Sequence, residues 1–381
     1  MTEAGGQLPE LGGVRLERVE LRRIRMPLVR PFRTSFGTEQ VRDVLLVRAE
    51  TADGEGWAEC ATEPEPRYSS EYTDAAEHVL EHHLVPRLFA AARPSAPMVG
   101  ELLASVKGHR MAKAAIETAV LDAELRASNL SLGEYLGAIR ETVDCGVSVG
   151  ITDTVDELVE QVAGYIADGY RRVKLKIEPG WDIEPVGAVR ARWPDVALQV
   201  DANTAYRITD AEHLARLDAL GLLLVEQPLP DDDLAGHAEL AAVIRTPICL
   251  DESIVSTAVA VAAIRLGACS IVNIKPARIG GYLEARRLHD ACERLGVPVW
   301  CGGMLETGIG RAANLALAAL PNFTLPGDTS ASARYYQQDL TAPFVLDADG
   351  RLPVPTGAGI GVTPLPDVLA EVTTRVRELA R

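Results

Sequence analysis

Short apolar segments rich in β-branched residues recur about every 25 residues through the middle of the chain, and each stops at a polar residue, a glycine or a proline. They begin at Cys145 (CGVSVGI), Arg171 (RRVKLKI), Val196 (VALQVDA), Leu222 (LLLVEQP), Thr246 (TPICLDE), Cys269 (CSIVNIKP), Val297 (VPVWCGG) and Asn322 (NFTLPGD). Runs this short, bounded by turn residues, read as buried strands. Between them lie stretches of helical period. TVDELVEQVAGYIADG opens on a capping threonine, TDAEHLARLDALG stops at Gly221, GYLEARRLHDACERLG at Gly296 and GIGRAANLALAALP at Pro321. Strand, helix, strand is the βαβ unit of a parallel sheet. Eight such strands in about 190 residues predict an α/β fold, a (β/α)7β TIM-like barrel. A doubly wound sheet is the alternative, and the lack of a glycine-rich phosphate fingerprint after the first strand counts against it.

Residues 1–140 do not share this rhythm. Leu16 to Leu28 and Val44 to Glu50 read as antiparallel strands, with a turn at Asp53-Gly54. Helical regions follow at about Ser70–Ala92 and Met98–Asn129. An α+β capping domain (1–140) is therefore expected in front of a barrel (141–330), with a C-terminal segment (331–381) returning to the cap. The stretch PLVRPFRTSFGTEQ, about residues 27–40, reads as a flexible lid.

The net charge of −16 disfavours a nucleic-acid backbone or an anionic membrane as partner. The N-terminus has no basic and apolar leader pattern, and no apolar run is long enough to span a bilayer. Six cysteines without CxxC or regular spacing fit reduced thiols in a cytoplasmic protein.

The repeat becomes informative about chemistry when its charged members are marked. Lys176, Asp201, Glu226, Asp251 and Lys275 close consecutive segments at separations of 25, 25, 25 and 24 residues. In a parallel barrel the C-terminal strand ends form the mouth, so the five should converge there. Three carboxylates crowded in a partly dry mouth repel one another, and a hard divalent cation such as Mg²⁺ relieves this through oxygen ligands. A Zn²⁺ site would want His or Cys, yet no histidine ends a strand, and His82-His83 falls in a helix of the cap. Strands 2 and 6 of eight lie opposite each other, so Lys176 and Lys275 should face one another across the mouth. Neighbouring cations are expected to lower their pKa toward that of a base. The plainer reading is that the lysines only pair with the acids. Abstraction of a proton next to a metal-bound carboxylate follows from the first reading, as racemisation by two opposed bases or elimination by one.

The runs VKLKIEPG (Val173–Gly180), VDAN (ending at Asn203), EQPL (from Glu226), LDES (from Leu250), NIKPARIGG (from Asn273) and MAKAAIETAVLDAEL resemble the enolase superfamily, muconate-lactonizing subgroup. Val299–Ser332 is similar to its N-succinylamino acid racemase / o-succinylbenzoate synthase branch. The resemblance implies Asp201, Glu226 and Asp251 as Mg²⁺ ligands, with Mn²⁺ or Co²⁺ able to substitute, and Lys176 and Lys275 as the acid/base pair. It implies Lys174 and Asn203 beside the substrate carboxylate and a homo-oligomer, dimer to octamer. Phe32, Ser148 and Met304 are expected to shape the acyl and side-chain pocket. Cys301-Gly302-Gly303 carries no histidine base, and Gly327-Asp328-Thr329-Ser330 is not the Asp-x-Asp of dipeptide epimerases. Cys301 as a nucleophile is the less economical reading. The implied activity is Mg²⁺-dependent racemisation of N-acyl, chiefly N-succinyl, amino acids, joined by o-succinylbenzoate synthesis. Alternatives are the synthase as main role, a muconate-type cycloisomerase, or a silent binding barrel.

Overall fold

The computed structural model describes residues 8–381, so the first seven residues of the N-terminus read above lie outside the described residues. The cap holds β1 (Leu16–Thr34), β2 (Gly37–Thr51) and β3 (Gly54–Cys60). Then come β4 (Thr142–Asp144), β5 (Gly146–Val149), β6 (Arg172–Lys176), β7 (Ala197–Asp201), β8 (Val225–Glu226), β9 (Ile248–Leu250), β10 (Ile271–Ile274) and β11 (Val299–Cys301). The chain ends with β12 (Arg351–Pro353) and β13 (Thr373–Ala380).

Strands β5 to β11 form one parallel sheet in chain order, each joined to the next through helical segments. That order excludes the doubly wound alternative, which reverses at a switch point. The eighth segment, Asn322–Asp328, is not a regular strand as expected. Pro326 has no amide to donate, and a proline breaks a ladder. Single bridges remain, Phe323 to Val299 and Gly327 to Cys145, with Gly146 N–H donating to Gly327 O at 2.8 Å. They join β11 back toward β5 and complete the ring.

The capping threonine is present: Thr154 accepts from the Glu157 amide at the start of helix Val155–Ala167. The stretch ending at Gly221 is more broken than its period predicts, with 3-10 turns at Ile208–Asp210 and Ala215–Leu220 around one turn at Ala211–Leu214. In the cap, β1, β2 and β3 are antiparallel, and β13 adds to the free edge of β1. Helix Arg110–Ala127 packs on this sheet and is buried along nearly its whole length. Gly56 allows that approach, since a Cβ there would meet Ala119 O at 2.1 Å. The second helical region divides into Ala96–Leu102 and Arg110–Ala127, around Gly108 with φ +65°.

The expected lid is a β-hairpin rather than an irregular loop. β1 and β2 continue through it, Thr34 pairing with Gly37, after a register break between Pro27 and Phe32. Its tip reaches the barrel: Ser35 Oγ donates to Asn203 O at 3.1 Å, and Ile151 N–H donates to Arg33 O at 2.9 Å.

Candidate active site

The strand ends deliver the five charged residues together. Lys176, Asp201 and Glu226 end β6, β7 and β8, while Asp251 and Lys275 follow β9 and β10 by one residue. In-register pairing sets Lys176 beside Asp201, and Asp201 beside Glu226. Alternation turns Lys174 and Lys176 to one face of β6 while Val173 and Leu175 pack in the core.

All three acids are buried, with at most 1% exposure. Lys176 Nζ donates to Asp201 Oδ2 and to Asn203 Oδ1, each at 2.6 Å. Lys275 Nζ donates to Asp251 Oδ2 at 2.9 Å, lies 3.5 Å from Met304 Sδ, and sits over the Tyr68 ring at 4.4 Å. Gly302 makes room for it, because a Cβ would meet Lys275 Cε at 2.7 Å. Lys174 Nζ bonds Glu226 Oε2 at 2.9 Å and lies 3.3 Å from Asp201 Oδ2. Asn273 Nδ2 donates to the other Glu226 oxygen at 2.7 Å. Asp251 Oδ1 accepts from Tyr68 Oη at 3.0 Å and pairs with Arg278.

The backbone holding these groups is strained. Asn203, Thr204 and Gln227 have φ of 41°, 65° and 37°, and for β-branched Thr204 that is a genuine outlier. Local bonds maintain it: Asn203 N–H donates to Asp201 Oδ1, and Thr204 N–H to Gln227 O.

Burial pushes the Asp201 carboxyl up, but Lys176 and Lys174 outweigh it and hold the group well below the usual carboxylate range. Burial, then Asp201, pushes Glu226 up. Glu252, which accepts from Asn203 Nδ2 at 2.8 Å, is pushed to about 7 by burial and then by Asp201. The expectation of lowered lysine pKa is overturned for Lys275. Burial lowers it, but Tyr68, Glu252 and Glu226 pull it above the ordinary lysine range. The same holds for Lys174, where Asp328, Glu226 and Asp201 outweigh burial. The physical reason is that each amine faces carboxylates at closer range than it faces other amines. The plain pairing of lysines with acids is thus present, and Lys176 and Lys275 stand at β6 and after β10, on either side of the three acid-bearing strands.

A cavity of about 270 Å³ opens above the acids. Seven predicted residues line it: Phe32, Ser148, Lys174, Lys176, Asn203, Lys275 and Met304. Asp201, Glu226 and Asp251 lie behind the lysines. Asp201, Glu226 and Asp251 stand at three adjacent strand ends with no His or Cys among them, an all-oxygen donor set of the kind Mg²⁺ takes. Their oxygens are drawn to lysines and Arg278 and do not all converge within 4.8 Å of one another, so they would have to turn from these partners to hold the ion. Cys301 is fully buried and its thiol is pushed far up by burial, which removes it as a nucleophile. His82 is half exposed, in the helical cap segment and away from the mouth.

Tyr68, Arg278, Glu252 and Asp328 belong to the site but were not singled out from the sequence. Glu252, Arg278 and Asp328 lie inside the motifs quoted above, and Asp328 ends the eighth segment of the repeat, so its period was a usable signal. Tyr68 comes from the cap, and no local pattern marks it.

The mandelate racemase / muconate lactonizing enzyme N-terminal domain model matches residues 18–137, and the enolase C-terminal domain-like model matches residues 157–368. An N-succinylamino acid racemase of Amycolatopsis sp is 65% identical, over 95% of this chain and 98% of the relative. An o-succinylbenzoate synthase of Geobacillus kaustophilus is 46% identical, over 91% and 93%. The crystal structure of an enolase superfamily member from Listeria innocua Clip11262 superposes with a TM-score of 0.92 at 38% identity, covering 96% of this chain and 99% of that one. With both domains matched and the fold shared end to end, this chain belongs to the enolase superfamily, in its mandelate racemase / muconate lactonizing group.

Proposed function

We propose that the chain is a Mg²⁺-dependent racemase of N-acylated amino acids, N-succinyl derivatives foremost, that also forms o-succinylbenzoate. One observation carries this reading: Lys176 and Lys275 line the same pocket from the two sides of a three-strand row of acids. Magnesium dependence is general in the superfamily. Asp201, Glu226 and Asp251 are the proposed ligands, with Mn²⁺ or Co²⁺ able to replace Mg²⁺. When bound, the cation supplies positive charge that stabilises the charge growing on a substrate carboxylate as the α-proton leaves.

The chain's own groups do the proton chemistry. Lys176 takes the α-proton from one face, and the Lys275 ammonium returns one to the other face, inverting the carbon. The roles exchange for the opposite enantiomer. Either amine must be neutral to act as base, so its pairing with Asp201 or Asp251 has to relax in the working site. Those acids pull less on an amine once a cation engages them. Lys174 and Asn203 bind the substrate carboxylate, while Phe32, Ser148 and Met304 bound the acyl and side-chain space.

The 65% identity to an N-succinylamino acid racemase supports racemisation as the first reading. The 46% identity to an o-succinylbenzoate synthase favours dehydration as the second, which needs only one base. The test is incubation with Mg²⁺ and N-succinyl-L-phenylalanine in D₂O, following α-proton exchange and optical rotation. Exchange with loss of rotation is expected. No exchange here, with rapid dehydration of the hydroxylated cyclohexadiene precursor to o-succinylbenzoate in a parallel assay, would leave only the synthase. A homo-oligomer in the cytoplasm is the proposed state, and six buried free thiols are in keeping with that compartment; light scattering tests the assembly.

A further inference from the structure

Asp328 has no part in the reaction described so far, yet it makes the shortest contact to Lys174. Lys174 Nζ is 2.6 Å from Asp328 Oδ2, 2.9 Å from Glu226 Oε2 and 3.3 Å from Asp201 Oδ2. Three carboxylates lie within ion-pair range of this one ammonium, and its hydrogen bond goes to Glu226 Oε2. Two of those carboxylates are proposed cation ligands; the third, Asp328, is not among them. Its other oxygen, Oδ1, is 2.8 Å from Arg172 Nη1, and Arg172 is itself tied through Nη2 to Pro326 O at 2.8 Å. The indole of Trp300 lies under both cations, with its centroid 4.8 Å from Lys174 Nζ and 5.2 Å from Arg172 Cζ. Asp328 N–H donates to Cys301 O at 2.8 Å, which anchors the residue to β11.

A cation that takes Asp201 and Glu226 competes with Lys174 for the same oxygen lone pairs. A buried ammonium left without a partner is costly. We propose that Asp328 is a positioning residue: it retains Lys174 when Asp201 and Glu226 turn to the cation, so ammonium and metal occupy the mouth together rather than in competition. Arg172 and the Asn322–Asp328 segment hold Asp328 in place for that task. The proposal rests on Asp201 and Glu226 being metal ligands.

The test is calorimetric titration of Mg²⁺ into metal-free protein for the native chain, Asp328→Asn, Lys174→Met and the double variant. With Asp328 removed, Lys174 stays on Glu226 and Asp201, so Mg²⁺ affinity falls by about tenfold or more. In the Lys174→Met background the same change costs only about threefold, the through-space loss of one negative charge. An equal loss in both backgrounds, or no loss in either, overturns the proposal. Circular dichroism melts establish that each variant folds. If Asp328→Asn does not fold, a crystal structure of the native chain with Mg²⁺ decides. Lys174 Nζ should keep Asp328 within about 3 Å and leave at least one of Asp201 and Glu226. Keeping both of these and losing Asp328 overturns it. Absence of Mg²⁺ binding by the native chain would instead sink the ligand assignment itself.

Discussion

Two groups of buried carboxylates in this protein satisfy their oxygens in different ways. On the cap helix Arg110–Ala127 they accept mainly from backbone amides: Glu124 from Gly13 and Ala96, Asp122 from Trp57 and Ile360, and Glu117 from Leu283. At the barrel mouth Asp201, Glu226 and Asp251 accept mainly from side chains, namely three lysines, Asn273, Tyr68 and Arg278, with the Asn203 amide the one backbone donor. A backbone amide is part of the fold and cannot be withdrawn without unfolding a turn. A lysine side chain can swing away. The cap acids are therefore mortar between segments, as Asp122 joins β3 to the C-terminal tail, whereas the mouth acids have partners that a ligand can replace.

This contrast is broken most severely by removing the metal. Chelation should abolish α-proton exchange while the far-ultraviolet circular dichroism stays unchanged, because the lysines and Arg278 pair with the acids. Restoring Mg²⁺, Mn²⁺ or Co²⁺ should restore exchange, and a collapse of the fold on chelation would erase the distinction. Next in size, Lys176→Ala and Lys275→Ala should each lower racemisation by about a thousandfold, the scale of a lost acid/base group, with little change in thermal midpoint. Full racemisation in both variants would mean that neither lysine is the base, and no exchange by the native chain itself returns it to a binding barrel.

A cap acid should behave in the opposite way. Asp122→Ala leaves two buried amides without an acceptor and takes from Arg126 one of its three, so urea denaturation should show a loss of about 3 kcal/mol. Exchange per folded molecule should be unchanged. The most gradual effect, smallest at any one step of pH, concerns Glu117. Burial pushes Glu117 to about 8, so the folded state favours its neutral form. Its contribution to stability is then full below the ordinary carboxylate pKa of about 4.3 and is lost as pH rises toward 8. Relative to the native chain, Glu117→Gln should gain about 1 kcal/mol per pH unit across that window. Parallel urea midpoints for the two proteins from pH 5 to 8 would rule this out.

Much of the mouth was legible because the repeat period and the alternation of strands are both local. Once Lys176, Asp201, Glu226, Asp251 and Lys275 each close a buried segment, a parallel barrel has no other place to put them. Lys174 shares the face of Lys176 by strand alternation, while the placement of Lys174 and Asn203 beside the substrate carboxylate is what the family resemblance implies. The regularity failed where local chemistry was ambiguous: Pro326 left the eighth strand as two bridges, and the 27–40 segment carried two prolines but still paired as a hairpin.

By itself the sequence determined the order of the barrel strands and the residues at their ends, because side-chain periodicity is a property of neighbours along the chain. Only the tertiary structure decided which groups share a proton donor. Tyr68 reaches Asp251 across 183 residues, and Asp328 reaches Lys174 across the closure of the ring. It also decided that Lys174 and Lys275 are held above the ordinary lysine range. Electrostatic influence follows distance through space and depth of burial, and no local stretch of sequence encodes either.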